Sequence, residues 1–185
     1  MRHHDPVASV LLKRQWSIPS VGRISAVRAS STLLLEIDRC WPQLRRQGDF
    51  HHAWRWEEIA KDRVETFALV SGDKPVGIWS SSKRKPIRLS EGAFYRLDNL
   101  EVDPVFRGAE LGIFLLSVIA IRAIELKAIG VVLGTWEPLR NFYLKIGAAE
   151  RAPAGWNFPA NLVPFTLDLS ALETLSVAIG ELENV

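Results

Sequence analysis

From Leu111 to Ile121 the chain carries no charge, and every residue but Gly112 and Ser117 is a hydrophobic one. Extended through the next seven residues, the stretch reads as a helix over 111–128, with Lys127 in its last turn and Gly130 just beyond. A helix that keeps one side in water carries a polar face, and the first turns of this one have none. Something must therefore enclose it: the N-terminal extension, the C-terminal helix or a second subunit. The run also falls short of the roughly 20 apolar residues that a membrane span requires. It predicts a core helix of a globular protein.

Size and composition agree. With 185 residues, 48% hydrophobic and 24% charged, the chain matches one globular domain with a substantial core. A net charge of +2 selects no class of partner. The single cysteine, Cys40, excludes an internal disulfide and suits a reducing compartment. The apolar run at 7–12 is too short, and wrongly flanked, for an export signal. The expectation is a cytoplasmic protein with no membrane association.

Pro6, Pro19 and Gly22 mark residues 1–22 as an irregular N-terminal extension. A short strand is expected at 23–28. Ser30, Ser31 and Thr32 offer a cap for a helix carrying Leu33, Ile37, Cys40, Trp41 and Leu44. A second helix is expected at 53–61. Strands at 64–70 and 76–80 flank a Gly-Asp-Lys-Pro turn, and a longer strand runs over 94–102. After the apolar helix come a buried strand at 131–133, suited to a parallel partner, and a helix at 138–147. Strands at 148–151 and 164–169 and a terminal helix at 171–182 complete the order. This is a mixed α/β (α+β) sheet in a single domain over 23–169, with 170–185 as a C-terminal helix or tail.

Chemistry is signalled where the long strand meets the apolar helix, across Leu97 to Gly112. Strand, turn rich in glycine and arginine, and helix aim free N–H groups and a positive helix end at one spot, which suits a phosphate or pyrophosphate. Downstream, Pro138 opens a helix in which Leu139, Phe142, Tyr143 and Ile146 share one face before Gly147 ends it. Together these elements resemble the acyl-CoA-binding core of the GNAT superfamily of N-acetyltransferases.

The resemblance implies a GNAT-like acyl-CoA N-acyltransferase fold with acetyl-CoA as cofactor. Arg107 and Gly112 take the first and last places of the family's six-residue loop. The amides of Gly108, Ala109, Glu110, Leu111 and Gly112 would hold the CoA pyrophosphate, and Arg107 would add charge-assisted contacts. The backbone of Leu100 to Val102, where two strands splay, would pair with pantetheine and polarise the thioester carbonyl. Tyr143 would be the general acid for the departing thiolate; its periodicity alone makes it a core residue. For the general base, Asp98 and Glu101 lie on opposite faces of a continuous strand, so at most one faces the cleft.

Two residues depart from the family pattern. Glu110 stands where the loop usually has glycine, so either its side chain swings outward or the site has lost CoA. Trp136 stands where the family often has asparagine, which puts that cofactor contact in doubt and offers Trp136 as a wall of the acceptor pocket. His51 and His52 are adjacent, without the spacing of a helical metal site, and read as surface residues. Trp41, Trp54, Trp56 and Trp79 read mostly as core, with one or two available to floor a pocket. The run from Lys83 to Arg88 is a basic hairpin tip, either a solvated loop or a landing site for RNA, CoA phosphates or an acidic partner.

The implied activity is transfer of an acetyl group from acetyl-CoA to a primary amine of unread class, by direct attack. The alternatives are a degenerate fold acting as a binding or regulatory subunit, and a GNAT-type toxin acetylating aminoacyl-tRNA. A homodimer is a further expectation.

Overall fold

The computed structural model describes residues 14–18, 21–41, 65–81, 85–107 and 111–180. Two sheets organise them. In the first, β1 (Gln15–Ile18), β2 (Gly22–Arg28), β3 (Glu65–Ser71), β4 (Lys74–Ser81) and β7 (Asn99–Val102) lie side by side, all antiparallel. In the second, the order is β5 (Ile87–Leu89), β6 (Gly92–Leu97), β8 (Gly130–Thr135) and β9 (Val163–Asp168), with β6 and β8 parallel. Between strands run α1 (Ser31–Cys40), α2 (Leu111–Glu125), α3 (Arg140–Lys145) and α4 (Leu169–Gly180). Ser30 caps α1 as expected, its Oγ accepting from Leu33 N at 3.2 Å.

The single strand expected over 94–102 is instead two. The chain breaks at Asp98, sending β6 to pair with β8 and β7 to pair with β4. Polar contacts pin this corner: Asp98 N donates to Ser80 O at 2.9 Å, Asn99 Nδ2 to Ser80 Oγ at 2.9 Å, and Arg96 Nε to Asp98 Oδ1 at 2.6 Å. Both halves are extended, so local sequence reads as one strand; the divergence comes from the partners on either side.

α2 is enclosed as its composition demands. Gly77 on β4 lets it approach, since a Cβ there would sit 3.3 Å from Leu115 Cδ2. α4 packs alongside, placing Leu172 and Leu175 in the same core. Trp16 meets Phe114 edge-on, ring centres 5.6 Å apart. The C-terminal helix and β1 thus both cover α2, and β1 corrects the reading of 1–22 as irregular throughout. Trp16 and Ile18 alternate inward while Gln15 and Ser17 face out; four residues between two prolines were too few to register as a strand.

Three boundaries also differ. α2 ends at Glu125 in a Schellman turn, Ala128 N donating to Ala123 O and Lys127 N to Ile124 O, with Lys127 at φ 58° in the left-handed place expected of a glycine. A 3-10 turn over Glu137–Leu139 precedes α3, and Gly147 (φ 84°) closes it. The strand expected at 148–151 is only a bridge from Ala149 to Thr166. Among the described residues, no helix is long and apolar enough to cross a membrane.

Candidate active site

β7 is the last strand of its sheet, and its hydrogen-bond phase decides what its open edge presents. Asp103 N donates to Val76 O at 2.9 Å, continuing the register that sets Val102 opposite Gly77 and Glu101 opposite Ile78. Antiparallel partners exchange hydrogen bonds at alternate residues. Asn99, Glu101 and Asp103 therefore direct their backbone groups to β4, while N–H and C=O of Leu100 and Val102 point to the open edge. Side chains alternate independently of this. Leu100 and Val102 join the core around α2, whereas Glu101 shares the face of Ile78, which packs with Leu34, Ile37 and Trp41.

After β7, the Asp103 carboxylate accepts from Val105 N at 3.0 Å and caps a single 3-10 turn, Pro104–Phe106. The turn brings Arg107 back over the strand, where its Nη2 donates to Glu101 Oε1 at 2.7 Å. Exposure is unequal: the Glu101 side chain is 8% exposed and that of Arg107 45%. Burial pushes the Glu101 carboxyl above its usual range, and this outweighs the opposing pull of Arg107 and of the Val102 amide. Gly108, Ala109 and Glu110, and with them the direction of the Glu110 side chain, lie outside the described residues.

At the start of α2, Leu111 is wholly buried and Gly112 faces Phe142. On α3, Phe142 and Tyr143 meet edge-to-face at 5.1 Å, and Tyr143 stacks on Phe165 of β9 at 5.4 Å. Tyr143 is nearly buried and part of the main core. Burial raises its hydroxyl above the ordinary 10, and the negative charge of Glu101 adds to the rise. The structure thus brings Glu101 and Arg107 into contact, whereas Tyr143, in the core on the other side of β7, feels Glu101 only through its charge. Asp98 belongs to the strand break, held by Arg96. Since Asp98 lies outside both strands, the alternation that set it opposite Glu101 does not extend to it.

Trp136 follows β8 and is 45% exposed, next to exposed Leu139. Trp41 and Trp79 are both core, so neither floors a pocket. His51, His52, Trp54, Trp56, Lys83 and Arg84 lie outside the described residues. Lys85 and Arg88 are exposed, and 87–89 forms β5, which the charge run had concealed. Among the described residues, no cluster of His, Cys, Asp and Glu is placed to hold a metal ion.

Two features escaped sequence reading. Arg122, one residue past the apolar run, is buried against Glu65 at 2.6 Å; a cation interrupting an apolar helix signals a buried pair. Phe158 lies over Gly134, where a Cβ would come within 2.5 Å of the ring; glycine inside a strand signals such an approach.

Two sheets diverging from a broken strand, with a parallel β6–β8 pair and a helix packed behind the break, constitute the GNAT fold. Solved structures match it. A GNAT-family acetyltransferase from Listeria monocytogenes is 15% identical with a TM-score of 0.64, covering 84% of this chain and 100% of that one. PaiA N-acetyltransferase from Thermoplasma acidophilum, in complex with coenzyme A, is 11% identical with a TM-score of 0.54, covering 78% and 98%. A bacterial toxin is 15% identical with a TM-score of 0.57, covering 82% and 93%. No family model matches the sequence, and no curated protein matches it. At these identities the likeness is one of fold.

Proposed function

We propose that the protein is an acyl-CoA-dependent N-acyltransferase that transfers an acetyl group to a primary amine by direct attack. The observation that carries this is the open edge of β7, which presents the backbone of Leu100 and Val102 beside the Glu101–Arg107 pair.

Acetyl-CoA, when bound, supplies an acyl group already activated as a thioester. The residues present suit such a cofactor. An edge N–H at Leu100 or Val102 polarises a carbonyl laid against it. Arg107, half in solvent, gives a diphosphate charge-assisted hydrogen bonds, and the amides opening α2 add to them. Glu101 would take one proton from the acceptor's ammonium, leaving a neutral amine to attack the carbonyl carbon. Tyr143, which burial keeps protonated, would give its proton to the sulfur as the carbon–sulfur bond breaks and regain one from the nitrogen as that becomes an amide. Trp136 and Leu139 offer apolar surface to the acceptor.

The test is calorimetric titration with CoA, followed by a screen of amine acceptors with acetyl-CoA in which free thiol is read. Micromolar binding and acceptor-dependent CoA release are expected. Binding without release by any acceptor would favour a non-catalytic binding protein.

Within this reading, an aminoacyl-tRNA acceptor has a specific observation in its favour. One protein of the same fold is a bacterial toxin, and Lys85 and Arg88 are exposed near the tip of the basic segment. Aminoacyl-tRNA therefore belongs in the screen; loss of transfer above a few hundred millimolar salt is expected if phosphate contacts hold it.

A further inference from the structure

We infer that the Glu101–Arg107 ion pair is a lock opened by the cofactor: it occupies both charges in the free protein, and a diphosphate claiming Arg107 frees the Glu101 carboxylate to accept a proton from the amine. The inference rests on the acyl-CoA reading and adds an order of events to it.

The geometry gives Glu101 one charged partner, the Arg107 guanidinium at 2.7 Å. The adjoining Val102 amide, whose N–H points to the open edge of β7, favours the ionised carboxyl more weakly. Arg107 is the group that the diphosphate would use, so binding would withdraw the charged partner. A diphosphate carries more charge than a single carboxylate and offers the guanidinium a second bidentate arrangement, so it wins the competition for Arg107.

What remains is a carboxylate with almost no access to water. Among the charged and titratable groups around it, Arg107 has been drawn away, and Tyr143 on α3 is a protonated phenol that cannot neutralise it. An ionised carboxylate in that position binds a proton or an ammonium strongly. The arriving acceptor amine supplies both: its ammonium pairs with Glu101, gives up one proton to it, and is left as the neutral nucleophile. The cofactor thus binds first, and only then does Glu101 become an effective base. Before that, the pair keeps a buried carboxylate compensated.

Coupling of this kind is reciprocal. If the diphosphate must displace Glu101 from Arg107, removing the carboxylate's charge must tighten cofactor binding. A Glu101 that merely props Arg107 in place would give the opposite sign. The test is calorimetric titration of wild type, Glu101→Gln, Arg107→Gln and the double variant with CoA. Glu101→Gln is expected to bind CoA about fivefold or more tightly than wild type, and Arg107→Gln to bind it more weakly. In the Arg107→Gln background the Glu101→Gln gain should vanish.

Equal or weaker binding by Glu101→Gln, with wild type binding CoA normally, overturns the lock and leaves the proposed function standing. Failure of wild type to bind CoA at millimolar concentration overturns the acyl-CoA reading, and the lock with it. Should Glu101→Gln not fold, the 13C carboxyl resonance of Glu101 in wild type decides. Titrated with and without CoA, it should take up its proton at higher pH in the complex, and an unchanged titration overturns the lock.

Discussion

Arg122 Nη2 donates to Glu65 Oε1 at 2.6 Å, with the two side chains 0% and 4% exposed. Tyr95 OH donates to the other oxygen, Oε2, at 3.1 Å, and the Arg122 guanidinium lies 5.8 Å from the centre of the Phe67 ring. Glu65 stands on β3 of the first sheet, Tyr95 on β6 of the second, and Arg122 on α2 between them. One buried carboxylate therefore ties together the two sheets whose divergence opens the edge of β7.

Removing one member strands a charge in the core. Glu65→Gln or Arg122→Met should each lower unfolding free energy by about 3–5 kcal/mol, measured by urea denaturation. Tyr95→Phe, which loses one hydrogen bond to a charged group, should lose about 1.5–3 kcal/mol. The double variant Glu65→Leu/Arg122→Met should recover most of the single-variant loss, because an apolar pair needs no compensation. A double loss equal to the sum of the singles would mean the two residues do not act together.

Glu101 gives a pH dependence of definite sign. Burial raises its carboxyl above 4.5 despite the Arg107 partner, so the folded state disfavours the ionised form. That penalty is absent below 4.5 and complete above the raised value. The melting temperature of Glu101→Gln relative to wild type should therefore rise as pH increases above 4.5 and level off once pH passes the raised value. A difference independent of pH between 4 and 8 would show the carboxyl to be unperturbed. In wild type, kcat/KM should fall on an acid limb lying above 4.5, for the same reason.

Tyr143→Phe keeps the ring that stacks on Phe165 and meets Phe142, and removes only the hydroxyl. Stability should change by about 1 kcal/mol or less, and CoA affinity should hold. Turnover in the acceptor assay should fall about 100-fold or more, the usual contribution of a positioned proton donor. Unchanged turnover would reduce Tyr143 to packing.

The apolar helix, the Tyr143 helix and the strand–turn–helix around Arg107 were legible because each rests on short-range periodicity or a fixed spacing. What stayed hidden depends on distant partners. β6 and β7 look like one strand because each half is locally extended, and only β4 and β8, pulling from opposite sides, separate them. The Glu101–Arg107 pair escaped for a related reason: its six-residue separation becomes a contact only when Asp103 caps the turn between them. Arg122 and Glu65 are 57 positions apart, beyond any pattern a single sequence displays. β1 was lost among prolines, though its alternation of Trp16 and Ile18 was there to see.

Lys127 occupies the left-handed position of the Schellman turn at φ 58°, where a side chain costs roughly 1–2 kcal/mol. Glycine removes that strain but adds freedom to the unfolded chain, offsetting part of the gain. Lys127→Gly should therefore stabilise the protein by about 0.5–1 kcal/mol, read as a higher urea midpoint at unchanged m-value. A loss of stability would mean that Lys127 makes a contact worth more than its strain.

Gly134 should respond in the opposite sense. A Cβ there would lie 2.5 Å from Phe158 Cζ and 3.1 Å from Leu162 Cδ1, so Gly134→Ala must push the Phe158 ring off β8. That ring also meets Trp156 edge-on at 4.8 Å. The segment leading into it is fastened to the β5–β6 turn by Glu91, which accepts from Arg151 Nη1 at 2.7 Å and from Ala154 N at 2.8 Å. The anchor should hold while the loop beyond it lifts. Gly134→Ala should therefore lose about 1–3 kcal/mol and expose bonds at 155–162 to limited proteolysis. Trimming the obstructing ring in Gly134→Ala/Phe158→Leu should restore much of the stability, since the methyl then occupies part of the space the ring gave up. No recovery would mean that the added methyl acts on the backbone of β8 instead of on the aromatic ring above it.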